Sequence, residues 1–249
     1  MAPMHEPAAY RERIYAHYVR GREAPLAPID IAGLAPRLHL LKRIISQHFG
    51  PDRNIAIVDL GCGYGAFVHA CRLAGFENVT GVDGSAEQIE AGTRLGIPGL
   101  AEGDLIAHLQ TFQNEAVDIV IAFDVIEHFT KSELVGFVDE VHRVLKPGGK
   151  WIIHAPNGDS PWAQRMVYGD YTHEQAFTNS SLHQLLKSSG FRSVDCFEDT
   201  PIPHGPVSFV RYLLWKILRN VYRLQLAIET GSLNRNSALS QNLTAVAVK

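Results

Sequence analysis

The stretch Ile55-Ala56-Ile57-Val58-Asp59-Leu60-Gly61-Cys62-Gly63-Tyr64-Gly65 sets an apolar run against an acid and then three alternating glycines. Four consecutive β-branched or small apolar residues before Asp59 predict a strand buried on both faces, as in a parallel sheet covered by helices. Gly61, Gly63 and Gly65 permit a tight turn whose backbone can approach a ligand with no Cβ in the way. The run from Ala66 to Ala74 reads as a helix, so its free N–H groups would face the same ligand. This combination points to a nucleotide-like molecule over a strand-to-helix turn, with a plain structural turn as the alternative.

A second short strand, Val79-Thr80-Gly81-Val82-Asp83, ends in a carboxylate about 20 residues past the loop, the spacing at which an acid reaches ribose hydroxyls in doubly wound folds. Dinucleotides and S-adenosylmethionine both fit so far. The dinucleotide fingerprint is G-x-G-x-x-G, whereas here Ala66 follows Gly65 and Asp59 stands just before the turn. A further acid appears in Ala101-Glu102-Gly103-Asp104-Leu105, and Val117 to Asp124 is another strand ending in Asp.

As a set, these motifs and Leu145-Lys146-Pro147-Gly148-Gly149-Lys150 resemble the class I S-adenosylmethionine-dependent methyltransferases over roughly Ile55 to Phe191. The resemblance implies an α/β, Rossmann-like, doubly wound sheet of seven strands, mostly parallel with an antiparallel last strand, and added helices. It assigns Asp59, Gly61, Gly63 and Gly65, with Cys62 and Tyr64 in the same loop, to the amino-acid end of S-adenosylmethionine. Asp83 with Gly84 goes to the ribose, Asp104 with Leu105 to the adenine, and Phe123 and Asp124 to the neighbourhood of the transferring methyl. A carboxylate accepts two hydroxyl or amine donors at once, so the acids suit these roles chemically.

The 249 residues suit one large α/β domain with elaborations, and 46% hydrophobic residues suffice for its core. The net charge of −3 gives no global reason to expect nucleic acid as a partner. Cys62, Cys71 and Cys196 are odd in number and lack metal-type spacing, which fits reduced thiols in a cytoplasmic protein, Cys62 serving as a small packing residue. No secretory leader pattern or membrane-length apolar run is present.

Along the chain, Tyr10, Ile14 and Tyr18 recur at helical spacing, and Leu34, Leu38, Leu41, Ile45 and Phe49 form a second helical stripe closing at Gly50-Pro51. From Ile55 strands and helices alternate. Helices are expected from Ser85 through Leu95, from Asp104 through Phe112 and from Lys131 through Leu145. Val194 to Phe197 is a sixth strand, and Gln241 to Val248 a last one forming an antiparallel edge. Three regions follow: a helical cap (1–52), a methyltransferase core (53–200 with 236–249) and a basic amphipathic insertion (201–235). In that insertion Val210, Leu213, Leu214, Ile217, Val221, Leu224 and Ile228 make one face, and Arg211, Lys216, Arg219 and Arg223 add charge elsewhere. It reads as a lid on the substrate cleft or on a partner subunit of a homodimer, as an interfacial membrane helix over 207–228, or as a plain core helix.

Asp124-Val125-Ile126-Glu127-His128 places two carboxylates and an imidazole at the mouth where open α/β sheets bind their ligands. A structural role for the Glu-His pair is one reading. With His173 added, the pattern is similar to metal-assisted small-RNA terminal 2′-O-methyltransferases and ubiquinone-pathway O-methyltransferases, with Asp124 standing where the RNA enzymes carry a Glu. That resemblance implies a divalent cation, Mg or Mn, held by Asp124, Glu127, His128 and His173. Without a metal, His128 or His173 is the catalytic base and Glu127 its neighbour. Either device favours O-methylation. The block from Tyr168 through Phe191 resembles methyltransferases of polysaccharide and glycolipid assembly, which implies a glycan or sugar hydroxyl; a small aromatic or quinone hydroxyl is the alternative. An inactive binding protein of the same fold and a nicotinamide oxidoreductase complete the hypotheses.

Overall fold

The computed structural model describes residues 13–14, 27–232 and 237–249. Apart from Arg13 and Ile14, the helix expected around Tyr10 and Tyr18 lies outside the described residues. In chain order the elements are α1 (Ala35–His48), β1 (Ile57–Leu60), α2 (Ala66–Leu73), β2 (Val79–Asp83), α3 (Ala86–Arg94), β3 (Leu100–Glu102), α4 (Leu105–Gln110) and β4 (Val117–Phe123). Then come α5 (Lys131–Val144), β5 (Leu145–Pro156), α6 (Ala163–Val167), α7 (Asn179–Ser188), β6 (Ser193–Glu198), α8 (Pro206–Thr230) and β7 (Asn242–Val248).

The seven strands form one sheet in the order β3-β2-β1-β4-β5-β7-β6. The first five are parallel, and β7 runs antiparallel to both its neighbours. Alternation along each strand feeds two apolar cores. Ile119 and Ile121 join Leu41, Ile45 and Phe67 of α1 and α2 on one face, while Val120 and Ala122 join Phe137 and Val141 of α5 and Leu182 of α7 on the other. Burial on both sides explains why these strands read as unbroken apolar runs.

The last strand is not an edge as expected. It enters between β5 and β6, pairing antiparallel with both, and Leu243, Ala245 and Ala247 are completely buried in the core on one face of the sheet. The edge is β6, where Asp195 and Phe197 alternate outward. The helix begun by Asp104 stops at Gln110, two residues short of Phe112, and Leu145 opens β5 rather than closing α5. The insertion is a single helix. Arg219 and Arg223 lie on its inward side, paired with Glu198, rather than on an outer charged face.

Two local devices position the residues beyond β4 and the glycine loop. Thr130 and Glu133 cap α5 reciprocally, which fixes the chain immediately after His128. Gly65 adopts φ +84° at the start of α2, and a Cβ there would lie 2.8–2.9 Å from the Leu100 methyls. A left-handed alanine costs about 1–2 kcal/mol in itself, and crowding adds roughly another 1–3 kcal/mol. Gly63 has φ +56° but would meet only Gln88, no nearer than 3.8 Å. Gly65→Ala is therefore expected to lower the thermal midpoint by roughly twice as much as Gly63→Ala, read by differential scanning calorimetry; equal shifts would disprove the crowding.

Candidate active site at the carboxyl ends of the strands

The loop after β1 is tied down by its neighbour strand. Gly61 and Cys62 N–H groups donate to the Val82 carbonyl at 2.8 and 3.0 Å, and Gly63 N–H donates to Asp83 Oδ2 at 2.8 Å. Asp83 Oδ1 accepts from Ser85 N–H at 2.8 Å, so one carboxylate pins both the glycine loop and the start of α3. Burial raises the Asp83 pKa, and these two backbone N–H groups oppose the rise. Asp59 is 1% exposed with Oδ1 unpartnered. Burial, then the Asp83 charge, pushes its pKa up to about 8 against the pull of Arg37.

Above this loop opens a cavity of about 700 Å³. Asp59, Gly61, Cys62, Gly63, Tyr64, Asp83, Gly84, Asp104 and Leu105 line one end, and Phe123, Asp124, Glu127, His128 and His173 the other. Of the expected site residues, Gly65 alone does not line it; its contribution is the close packing against Leu100. Asp104 Oδ1 also caps α4, accepting from Ala107 N–H at 2.8 Å. Ser85 precedes α3 without capping it through its side chain.

At the exit of β4 the chain turns through Asp124, a non-glycine residue at φ +59°. Its Oδ1 lies 2.5 Å from Nδ1 of His154 on β5, and His154 Nε2 lies 2.6 Å from Asp199 Oδ2. The imidazole also stacks on Phe123, centroids 4.0 Å apart and rings within 2° of parallel. Burial alone would lower the His154 pKa, but the two carboxylates outweigh it and hold the ring well above its ordinary value. The Asp124 side chain is 43% exposed, and the His154 charge and hydrogen bond keep it below the usual carboxylate range. His154 went unforeseen, although an imidazole inside the otherwise apolar Trp151 to Ala155 strand was a visible signal; Asp199 offered none.

Three of the four expected cation ligands come together. One oxygen of Glu127 and one nitrogen each from His128 and His173 lie within 4.8 Å of one another, while Asp124, turned to His154, stands outside this trio. Glu127 is fully buried, and neither carboxylate oxygen has a hydrogen-bond partner among the described residues. Burial, then the Asp124 charge, drives the Glu127 pKa well above its ordinary value.

Both imidazoles are held through Nδ1. His173 Nδ1 lies 2.8 Å from the Met166 carbonyl, an acceptor, so Nδ1 carries the proton. Thr172 Oγ1 donates to Asp170 Oδ1 at 2.6 Å and so accepts from His128 Nδ1 at 2.9 Å. In the neutral rings Nε2 is then the basic nitrogen of each. Burial, then the His173 charge, pushes His128 down to about 4, so it is neutral at physiological pH. Arg37, Phe129, Arg165, Met166 and Asp170 also line the cavity and carried no motif in the sequence.

The chain matches the family described as "Methyltransferase domain" over residues 34–195. It is 30% identical over 126 residues to the ubiquinone biosynthesis O-methyltransferase of Rickettsia canadensis, covering 49% of this chain and 51% of that protein. It is 27% identical over 117 residues to the sterol 24-C-methyltransferase erg-4 of Neurospora crassa, covering 44% of this chain and 30% of that one. The chain thus spans about half the length, or less, of these curated relatives. A solved S-adenosylmethionine-dependent methyltransferase of Archaeoglobus fulgidus superposes over 97% of this chain and 100% of its own with a TM-score of 0.64 at 20% identity, which shows the shared fold. The chain belongs to the methyltransferase-domain family and carries the fold of the class I S-adenosylmethionine-dependent methyltransferases.

Proposed function

We propose that the protein transfers a methyl group from S-adenosylmethionine to a hydroxyl of a small aromatic or quinone-like molecule. The observation that carries this reading is the trio of buried Glu127 and half-buried His128 and His173 at the cavity end opposite the nucleoside-type acids. A hydroxyl must lose its proton to attack a sulfonium methyl, and a neutral amine need not, so a site equipped for deprotonation favours oxygen. Phe129 and Met166 line the same end and suit a flat apolar ring. The likeness to a ubiquinone biosynthesis O-methyltransferase supports that acceptor, whereas the sugar hydroxyl expected from the sequence finds no counterpart in either curated relative described above.

In this reading Asp59 receives the ammonium of the cofactor's amino-acid end, and Gly61 and Gly63 let its backbone-side atoms approach. Asp83, already accepting two N–H bonds, offers its remaining lone pairs to the ribose hydroxyls, and Asp104 with Leu105 borders the adenine. The enclosed cavity aligns the acceptor oxygen with the methyl, and orientation of this kind accounts for about 7–11 kcal/mol of barrier.

The trio fits a divalent cation: a buried carboxylate lacks any hydrogen-bond partner, and each imidazole is fixed through Nδ1 as metal-binding histidines are. Its two nitrogen donors suit a transition ion such as Mn²⁺ better than Mg²⁺. A cation held by Glu127, His128 and His173 would supply Lewis acidity that lowers the pKa of the acceptor hydroxyl. In a metal-free enzyme, Nε2 of His173 is the atom that takes the acceptor's proton.

Purified protein given S-adenosylmethionine and a panel of catechols, phenols, quinols and sugars, with methyl incorporation read by mass spectrometry, is expected to label an aromatic hydroxyl. Labelling confined to sugars or amines would refute the acceptor, and no calorimetric heat with S-adenosylmethionine or S-adenosylhomocysteine would refute the cofactor. Activity should fall on EDTA treatment and return with Mn²⁺; full activity in excess chelator would leave His173 as base. Under either device His173→Ala should cut kcat by about 10²–10⁴-fold while leaving cofactor affinity unchanged. For Asp59, ligand binding pulls down a pKa that stands near 8 in the empty site, so binding takes up the ionised form and releases a proton below that pH. Affinity for S-adenosylmethionine should therefore rise from pH 6 towards pH 8 by isothermal calorimetry, and Asp59→Asn should flatten that slope.

A further inference from the structure

Helix α8 turns its apolar side away from the protein. Tyr212, Trp215, Arg219, Tyr222 and Arg223 recur at spacings of three and four and are the sheltered side chains. Arg219, 7% exposed, donates to the Leu239 carbonyl, its guanidinium lies 4.7 Å from the Trp215 ring centre, and Arg223 Nη2 meets Glu198 Oε2 at 2.6 Å. This clamp dictates where the rest of the helix points. Val210, Leu213, Leu214, Ile217, Val221 and Leu224 lie opposite, each 45–62% exposed, which is a large outlay of apolar surface on one element.

We infer that this face lies on an anionic phospholipid surface. The apolar arc runs from Phe209 to Leu218, about 180° of the helix circumference, interrupted only by the uncharged Asn220 and Gln225. A single partner helix covers a narrower seam, whereas a lipid interface covers a half-cylinder. Lys216 stands beside Phe209 at one border of the arc and Arg211 beside Leu218 at the other, both exposed, and no acid occurs in the helix before Glu229. Both borders therefore present a cation at headgroup level, and the helix's one acid, Glu229, lies on the Arg211 border but five turns further on, in the last turn. Among the described residues no helix is long and apolar enough to cross a membrane, so α8 would lie in the interface plane. The inference rests on this helix alone and holds whichever atom is methylated.

Co-sedimentation of the full chain with phosphatidylcholine vesicles, with and without phosphatidylglycerol, tests it. Wild type should bind the anionic vesicles and bind pure phosphatidylcholine far less. Leu214→Glu/Ile217→Glu/Leu224→Glu should abolish binding, with thermal midpoint and S-adenosylhomocysteine affinity unchanged because these side chains bear no core. Arg211→Gln/Lys216→Gln should weaken it about fivefold for each charge removed. No sedimentation with anionic vesicles, or equal sedimentation of wild type and the triple variant, would overturn the inference. So would a dimer in analytical ultracentrifugation that the triple variant dissociates without any vesicle binding, which would give the face to a second copy.

Discussion

The 2.5 Å contact between Asp124 on the exit of β4 and His154 on β5 is the constraint from which the Glu127–His128 end of the cavity is built. It joins adjacent parallel strands at their carboxyl ends, beside their last backbone bond, Asp124 N–H to the His154 carbonyl at 2.9 Å, and it holds the side chain of the left-handed Asp124. That turn aims the short 3₁₀ segment Ile126–His128 back over the sheet, so Glu127 and His128 face inward instead of continuing towards solvent. Asp199 on the far side of the imidazole, itself accepting from Thr244 at 3.0 Å, balances the ring's charge and carries the same connection across to β7. His154 acts here through Asp124 and Phe123, as a positioning residue.

Around one cavity the protein buries Asp59, Asp83 and Glu127 with their pKa values raised. Removing a carboxylate from water without a partner costs several kcal/mol, and natural cores keep few such groups. Asp83 is compensated by two N–H bonds. Asp59, with Oδ1 unpartnered, and Glu127, with an imidazole only at 3.9 Å, are compensated less, and they mark the two ends of the cavity. Their incomplete pairing is intelligible if, as proposed above, a cationic amine completes one end and a metal ion or acceptor proton the other. The stability given up in the empty protein then reappears as binding free energy.

Much of the cavity end lined by Asp59, Asp83 and Asp104 was legible in the chain because it is local. The acids at 59, 83 and 104 close consecutive strands, and period and glycine spacing mark those strands directly. The acceptor side was legible only in part. Glu127 and His128 are adjacent and announce themselves, and His173 could be added through a resemblance. His154, Asp199, Arg37 and Asp170 come together only through the sheet order and the packing of loops, which no periodicity encodes. The place of β7 was misread for a similar reason: its alternation shows a strand, but only its backbone ladders to β5 and β6 show that it has neighbours on both sides. In α8 the sequence revealed an apolar face and basic residues, and only the Glu198 pairing reveals which way that face is turned.

Placing the last strand between two earlier ones also orders events during synthesis. Until Asn242–Val248 leaves the ribosome, β5 has one open edge and β6 has no strand to pair with, so the sheet stays split while α8 is already outside. Asn242 lines the cavity and Thr244 bonds Asp199, so the rim of the cavity acquires its shape only once this strand has paired. A nascent chain stalled before that point would expose two unsatisfied ladders beside an apolar helix, the kind of surface that chaperones recognise.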